Sequence, residues 1–150
     1  METPRRRRVL RRATDVPSAL VGEIVDDMAS RMDRSDEARQ CAGLSFSYVV
    51  SDRRLPVYRY EVAEGGTVTL AHDDTRPSTF TFSGDAETFD AVLRGLANPL
   101  KALLTGRVRL RGSLWHIRSL LRMMPAVERA YTQAREDMIR RHQERYDFRF

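Results

Sequence analysis

Between Ser45 and Phe82 the chain alternates apolar and polar residues in four short runs, and this alternation constrains the fold more than any other feature. Phe46, Tyr48 and Val50 stand opposite Ser45 and Ser47, and Tyr58, Tyr60 and Val62 alternate with Arg59 and Glu61. Val68 and Leu70 alternate with Thr67 and Thr69, and Phe80 and Phe82 with Thr79 and Thr81. A period of two puts successive side chains on opposite faces of a strand, so each run has one face to bury and one to leave wet. Glu64-Gly65-Gly66 supplies the positive φ of a tight hairpin between the second and third runs. A sheet with one apolar face needs cover from elsewhere in the chain.

The rest of the sequence supplies it. From Asp15 to about Asp33, Leu20, Ile24, Val25, Met28 and Met32 recur at the spacing of an amphipathic helix, with Asp15 as its cap and Pro17 in the first turn. Asp85 caps a helix bearing Phe89, Val92, Leu93 and Leu96, and Asn98-Pro99 opens a short one with Leu100, Leu103 and Leu104. Arg107, Arg109 and Arg111 then alternate with Val108 and Leu110 in a fifth strand between Gly106 and Gly112. After Ser113, a helix with Leu114, Ile117, Leu120, Leu121 and Met124 reaches Pro125, which predicts a kink or a restart. Helical spacing continues through Val127, Tyr131, Ala134, Met138 and His142 to near Tyr146. The order α-βββ-β-α-α-β-α-α predicts a two-layer α/β (α+β) sandwich, with five strands and helices covering one face.

A length of 150 residues fits one domain with a single core. The net charge of +5 is unevenly placed. Residues 1–12 carry six arginines against Glu2; residues 13–93 hold 7 basic and 15 acidic residues, net −8; residues 94–150 hold 13 and 5, net +8. The expectation is a basic, disordered arm over 1–12, suited to weak contact with an anionic membrane, a domain over 13–131 and a C-terminal helical extension over 132–150. No run of 18 apolar residues occurs, and the arginines near the N-terminus precede no apolar stretch of a secretory signal. With the single Cys41, these features predict a cytoplasmic protein. Arginine outnumbers lysine 25 to 1, which suggests a bacterial source.

The segment from Thr79 to Tyr131 resembles the sterol carrier protein 2, or sterol-binding, domain family. The resemblance rests on a strand ending in Ser83-Gly84-Asp85, the Phe89–Leu96 helix, Asn98-Pro99-Leu100-Lys101-Ala102, and the glycine-framed strand Gly106-Arg107-Val108-Arg109-Leu110-Arg111-Gly112. The upstream elements agree in order, so it extends over roughly residues 15–131. It implies a mixed sheet and a cavity between sheet and helices that binds and carries, or presents, an apolar lipid of fatty acyl, isoprenoid or steroid-like kind. The residues expected around that ligand are Phe80, Phe82, Phe89, Leu93, Leu96, Leu100, Leu103, Leu104, Trp115, Ile117, Leu121 and Met124, with Met123 beside them as an adaptable wall. Trp115 stands where aliphatic residues are usual in the family and would reshape the pocket.

No catalytic constellation accompanies these features. His72, His116 and His142 lack metal-ligand spacing, Cys41 has no evident base, and Asp73-Asp74 reads as an exposed turn. No metal, cofactor or catalytic residue is expected. The arginine row at 107–111 suits phosphates, yet no aromatic platform for nucleic acid adjoins it, and carboxylates such as Glu61 are expected to pair with it. The alternative to a carrier is an accessory or scaffold protein of lipid or quinone metabolism, docking a protein partner or a second copy through the 126–146 helix.

Overall fold

The computed structural model describes residues 6–150. Its elements are β1 (Arg8–Leu10), α1 (Ser18–Met32), α2 (Asp36–Gln40), β2 (Ser45–Val50), β3 (Tyr58–Val62), β4 (Val68–His72), β5 (Phe80–Gly84), α3 (Ala86–Leu93), α4 (Pro99–Leu104), β6 (Val108–Gly112), α5 (Ile117–His142) and β7 (Tyr146–Phe148). The main sheet runs β4-β3-β2-β5-β6. It is mixed, because β2 and β5 are parallel while the other neighbours are antiparallel. Register sets Phe46 between Tyr60 and Phe80, and Tyr48 between Tyr58 and Phe82, so the apolar positions of four runs share one face. Helices α1, α3 and α5 lie over that face and close the core.

The outer face is not entirely wet. The segment after β4 folds across it: Ser45 and Thr79 exchange hydrogen bonds, and Arg59 donates to the carbonyl of Pro77 and to Glu61. Ser45, Ser47 and Arg59 are buried in consequence. Glu61 serves Arg59 and Arg76, so it does not pair with the arginine row of β6 as the alternation suggested.

The two glycines framing β6 have different causes. Gly106 ends α4 at φ 75°, a conformation that disfavours a side chain. Gly112 lies so close to β5 that a Cβ would sit 2.3 Å from the Thr79 carbonyl oxygen. Asp85 and Asn98 cap α3 and α4 as expected, their carboxylate and amide oxygens accepting from Thr88 and from Leu100 and Lys101. Asp15 does not cap α1: it accepts from the amides of Arg11 and Arg12 instead.

Three expectations need correction. Helix α5 does not restart at Pro125 but continues through it, with Leu120 and Met123 before it and Ala126 and Val127 after it all buried in the same core. The helix stops at His142, and Tyr146–Phe148 forms a strand paired in parallel with Arg8–Leu10. The basic arm is therefore not disordered over that stretch. Leu10 is fully buried, and this single apolar anchor fixes a strand within an arginine-rich sequence. Glu2 and Arg5 of the expected arm lie outside the described residues.

Candidate functional site

Two apolar cavities lie between the sheet and the helices. The larger, of about 110 Å³, is walled by Ile24, Val25 and Met28 of α1, by Tyr48, Tyr58 and Tyr60 of the sheet, by Phe89 and Leu93 of α3, and by Tyr131 and Met138 of α5. The smaller, of about 50 Å³, is bounded by Phe82, Val108, Leu103 and Met124. Tyr48, Phe89 and Leu93 belong to both walls and form the partition between them. The partition is aromatic: Tyr48 stacks on Phe82 at 5.3 Å and meets Phe89 edge-on at 5.5 Å. Its elements follow from the sequence, since β2 and β5 alternate and α3 presents Phe89, Val92 and Leu93 on one stripe.

Three charged residues, Arg53, Asp90 and Arg135, interrupt the apolar lining of the larger cavity. Asp90 on α3 accepts a short hydrogen bond from the Tyr131 hydroxyl and lies 3.2 Å from Arg94 and 3.3 Å from Arg135. The Arg135 Nε is in ion-pair range but not aligned to donate, and its guanidinium lies 4.4 Å from the Phe150 ring centroid. Arg53 donates to the Val16 carbonyl at another edge of the cavity. Burial, and next the Asp90 charge, push the Tyr131 hydroxyl well above its ordinary pKa, and burial alone raises Tyr48. Both phenols stay neutral donors across physiological pH. A larger open groove of about 1050 Å³ lies outside this layer, with Arg12, Asp52, Asp85, Lys101 and Arg107 in its walls, and suits no apolar chain.

The expected ligand residues divide into three groups. Phe82, Phe89, Leu93, Leu103 and Met124 line the cavities. Phe80 is buried in the core and Ile117 is half-buried against it, neither on a cavity wall. Leu96, Leu100, Leu104, Trp115 and Leu121 are exposed, Trp115 at 95%. They were expected inside because they share the apolar spacing of their helices, but α4 has only six residues and buries Ala102 with Leu103 beneath it. The larger cavity instead uses α1 and the second half of α5, whose periodicity marks them as core without marking a cavity. Asp90 carried no signal, since a carboxylate beside Phe89 reads as the wet side of a helix.

No group of three or more His, Cys, Asp or Glu able to hold a metal occurs among the described residues. Cys41 is buried, its thiol raised by burial and directed to the Ser119 carbonyl at 3.3 Å. No helix among the described residues is long and apolar enough to cross a membrane.

The family model described as the SCP-2 sterol transfer family matches residues 27–122, the stretch from mid-α1 to the first turns of α5. The chain belongs to the SCP-2 sterol transfer family. Solved structures agree on the fold. The sterol carrier protein domain 2 of Helicoverpa armigera superposes with a TM-score of 0.60 at 14% identity, over 75% of this chain and 89% of that one. A UbiJ-SCP2 ubiquinone synthesis protein gives 0.55 at 10% identity, over 78% and 97%. The inverting sec-alkylsulfatase Pisa1 from Pseudomonas sp. gives 0.54 at 19% identity over 66% of this chain, which spans only 15% of that enzyme. No curated protein matches the sequence. The SCP-2 fold of this chain thus places its aromatic partition where sheet and helices meet.

Proposed function

We propose that this SCP-2 family chain reversibly buries an apolar lipid tail, fatty acyl, isoprenoid or steroid-like, and carries or presents it without transforming it. The observation that carries the reading is the pair of apolar cavities divided only by Tyr48, Phe89 and Leu93. An apolar cavity of about 150 Å³ holds a molecule the size of benzene, so even the merged spaces take only part of a lipid tail, and a whole tail requires the walls to move outward as well. Phe89 and Leu93 are side chains of α3, a helix tied to α5 through Asp90, so the partition opens by their rotation rather than by displacement of the helix. Met124 and Met28 are adaptable wall residues on either side. Burying about 300 Å² of apolar ligand offers about 7 kcal/mol before association costs, which sets micromolar binding as the upper expectation. The free, buried thiol of Cys41 is in keeping with a reducing, cytoplasmic setting.

Native mass spectrometry after incubation with a fatty acid, a prenyl alcohol and a steroid probe tests this. A one-to-one adduct with at least one probe is expected, and Leu93→Trp, which fills the partition, should abolish it while far-ultraviolet circular dichroism is unchanged. Failure of every probe would leave the accessory reading, for which the likeness to a ubiquinone synthesis protein is the support. Docking through the 126–142 part of α5 would then use its polar outer side, since Ala126, Val127, Ala130, Ala134 and Met138 are buried in the chain's own core.

A further inference from the structure

Six of the seven large hydrophobic side chains that stand exposed among the described residues lie in one stretch: Leu96, Leu100, Leu104, Leu114, Trp115 and Leu121. From Ala91 to Val127 that stretch has seven basic residues and no Asp or Glu. Arg94 alone of the seven meets a carboxylate, that of Asp90. Lys101, Arg107, Arg109, Arg111, Arg118 and Arg122 have no ion-pair partner among the described residues, and all six are exposed.

The fold gathers the apolar and cationic groups together. Leu103 of α4 and Met124 of α5 wall the same small cavity, so these two elements flank it with their inner sides. On the outer side of α4, Leu100 and Leu104 are one turn apart with Lys101 beside them. On the first turns of α5 and the turn before it, Trp115, Arg118, Leu121 and Arg122 follow at three- and four-residue spacing. Scattered exposed leucines need no explanation, but a concentration of them among unpaired cations marks an interaction surface.

The composition selects the partner. Nucleic acid would use the cations and leave the leucines in water. A second copy docking by the same face would bring two sets of unpaired cations together. A bilayer with anionic headgroups satisfies both sets, because aliphatic and Trp side chains enter the headgroup boundary while Arg and Lys hold phosphates. We infer that the α4 face and the start of α5 form a docking surface for an anionic lipid bilayer, with Leu100, Leu104, Trp115 and Leu121 inserted and Lys101, Arg118 and Arg122 on the headgroups. This surface stands whether or not the cavities hold a lipid. Docked, it sets the smaller cavity immediately beneath the membrane interface.

Trp115 is the single tryptophan of the chain and is almost wholly exposed, so its emission reports insertion directly. Phosphatidylcholine vesicles containing phosphatidylglycerol should shift that emission to the blue and carry the protein down on sedimentation; pure phosphatidylcholine vesicles and high salt should do neither. Arg118→Glu with Arg122→Glu, and separately Leu104→Asp with Leu121→Asp, should each weaken the association on the order of tenfold or more. Arg145→Glu, beyond the far end of α5, should leave it unchanged. Lack of any shift with anionic vesicles, or equal binding to neutral ones, overturns the inference. A shift produced by polyglutamate and untouched by the leucine changes would overturn it too, and assign the face to an acidic protein. Probe uptake measured without vesicles reads the cavities separately, so each reading fails on its own.

Discussion

The two halves of α5 belong to one helix and live by different rules. In the half from Ala126 to His142, Ala126, Val127, Ala130, Ala134 and Met138 are buried, and all four arginines meet carboxylates: Arg129 with Glu37, Arg135 with Asp90, Arg140 with Asp137 and Arg141 with Glu23. In the half from Ile117 to Pro125, Leu121 is exposed and neither Arg118 nor Arg122 has such a partner among the described residues. The difference comes from what lies alongside. The second half lies along α1, with Arg31 bonded to Gln133 and Asp137 and Glu23 to Arg141 and His142. The first turns Leu120 and Met123 to the core and leaves Leu121 and Arg122 exposed. Both halves bury an inner stripe, but among the described residues only the first carries an exposed large hydrophobic side chain, Leu121.

Asp90 is where the contrast is sharpest, because it binds the second half of α5 to α3. Asp90→Ala leaves Arg94 and the Tyr131 hydroxyl without their shared acceptor, and Arg135 without its counter-charge, in a mostly buried site. Removing one member of such a set costs about 3–5 kcal/mol, visible as a lowered midpoint in urea unfolding. A loss below about 1 kcal/mol would mean that water already serves these groups.

Met138, fully buried and on the wall of the larger cavity, comes next. Met138→Ala should cost about 2–5 kcal/mol, or a fall in Tm of roughly 4–20 °C for a chain of this size. The same variant enlarges the cavity. If the cavity receives lipid tails, probe uptake should persist in it or increase.

Acid should loosen the second half selectively. Burial raises the pKa of Glu23, but its hydrogen bonds to and the charges of His142 and Arg141 outweigh that and leave it below 4.5. Glu37 is lowered by a backbone hydrogen bond and by Arg129. A carboxylate with a depressed folded pKa binds protons more readily when unfolded, so its contribution is complete above the unfolded value and is lost as pH falls through the folded one. Hydrogen exchange in α5 from Arg129 to His142 should therefore quicken below pH 4.5, and Glu23→Gln should remove part of that pH dependence. Exchange near Leu120 should respond less.

Much of this was legible in the sequence. The five strands of the main sheet, the caps Asp85 and Asn98 and the apolar stripe of α1 follow from period and capping chemistry alone. What escaped was what depends on distant partners. Strands β1 and β7 have three residues each, too few for alternation to register, and pair across almost the whole chain. Periodicity marks which residues share a face but not whether another element covers it. Leu100, Leu104 and Leu121 share the spacing of buried positions and yet are exposed, while Tyr48, Tyr131 and α1 line the larger cavity. Asp90 became legible only with Tyr131 and Arg135, brought to it from the far side of the fold.

The smallest expected effect decides the most. Leu121 and Met138 lie on one helix, are both large and apolar, and look alike by spacing. Leu121 is 63% exposed and Met138 not at all. Truncating an exposed side chain away from caps and buried networks changes stability by no more than about 0.5 kcal/mol, so Leu121→Ala should unfold at nearly the same urea concentration as the parent chain. A loss of 2 kcal/mol or more, as large as core truncations, would mean that the first half of α5 is covered in solution. A concentration-dependent loss would identify that cover as a second copy. Unchanged stability leaves a leucine whose side chain contributes nothing to the fold, in the middle of the stretch where carboxylates are absent, and a role in contact with an external surface is then what accounts for it.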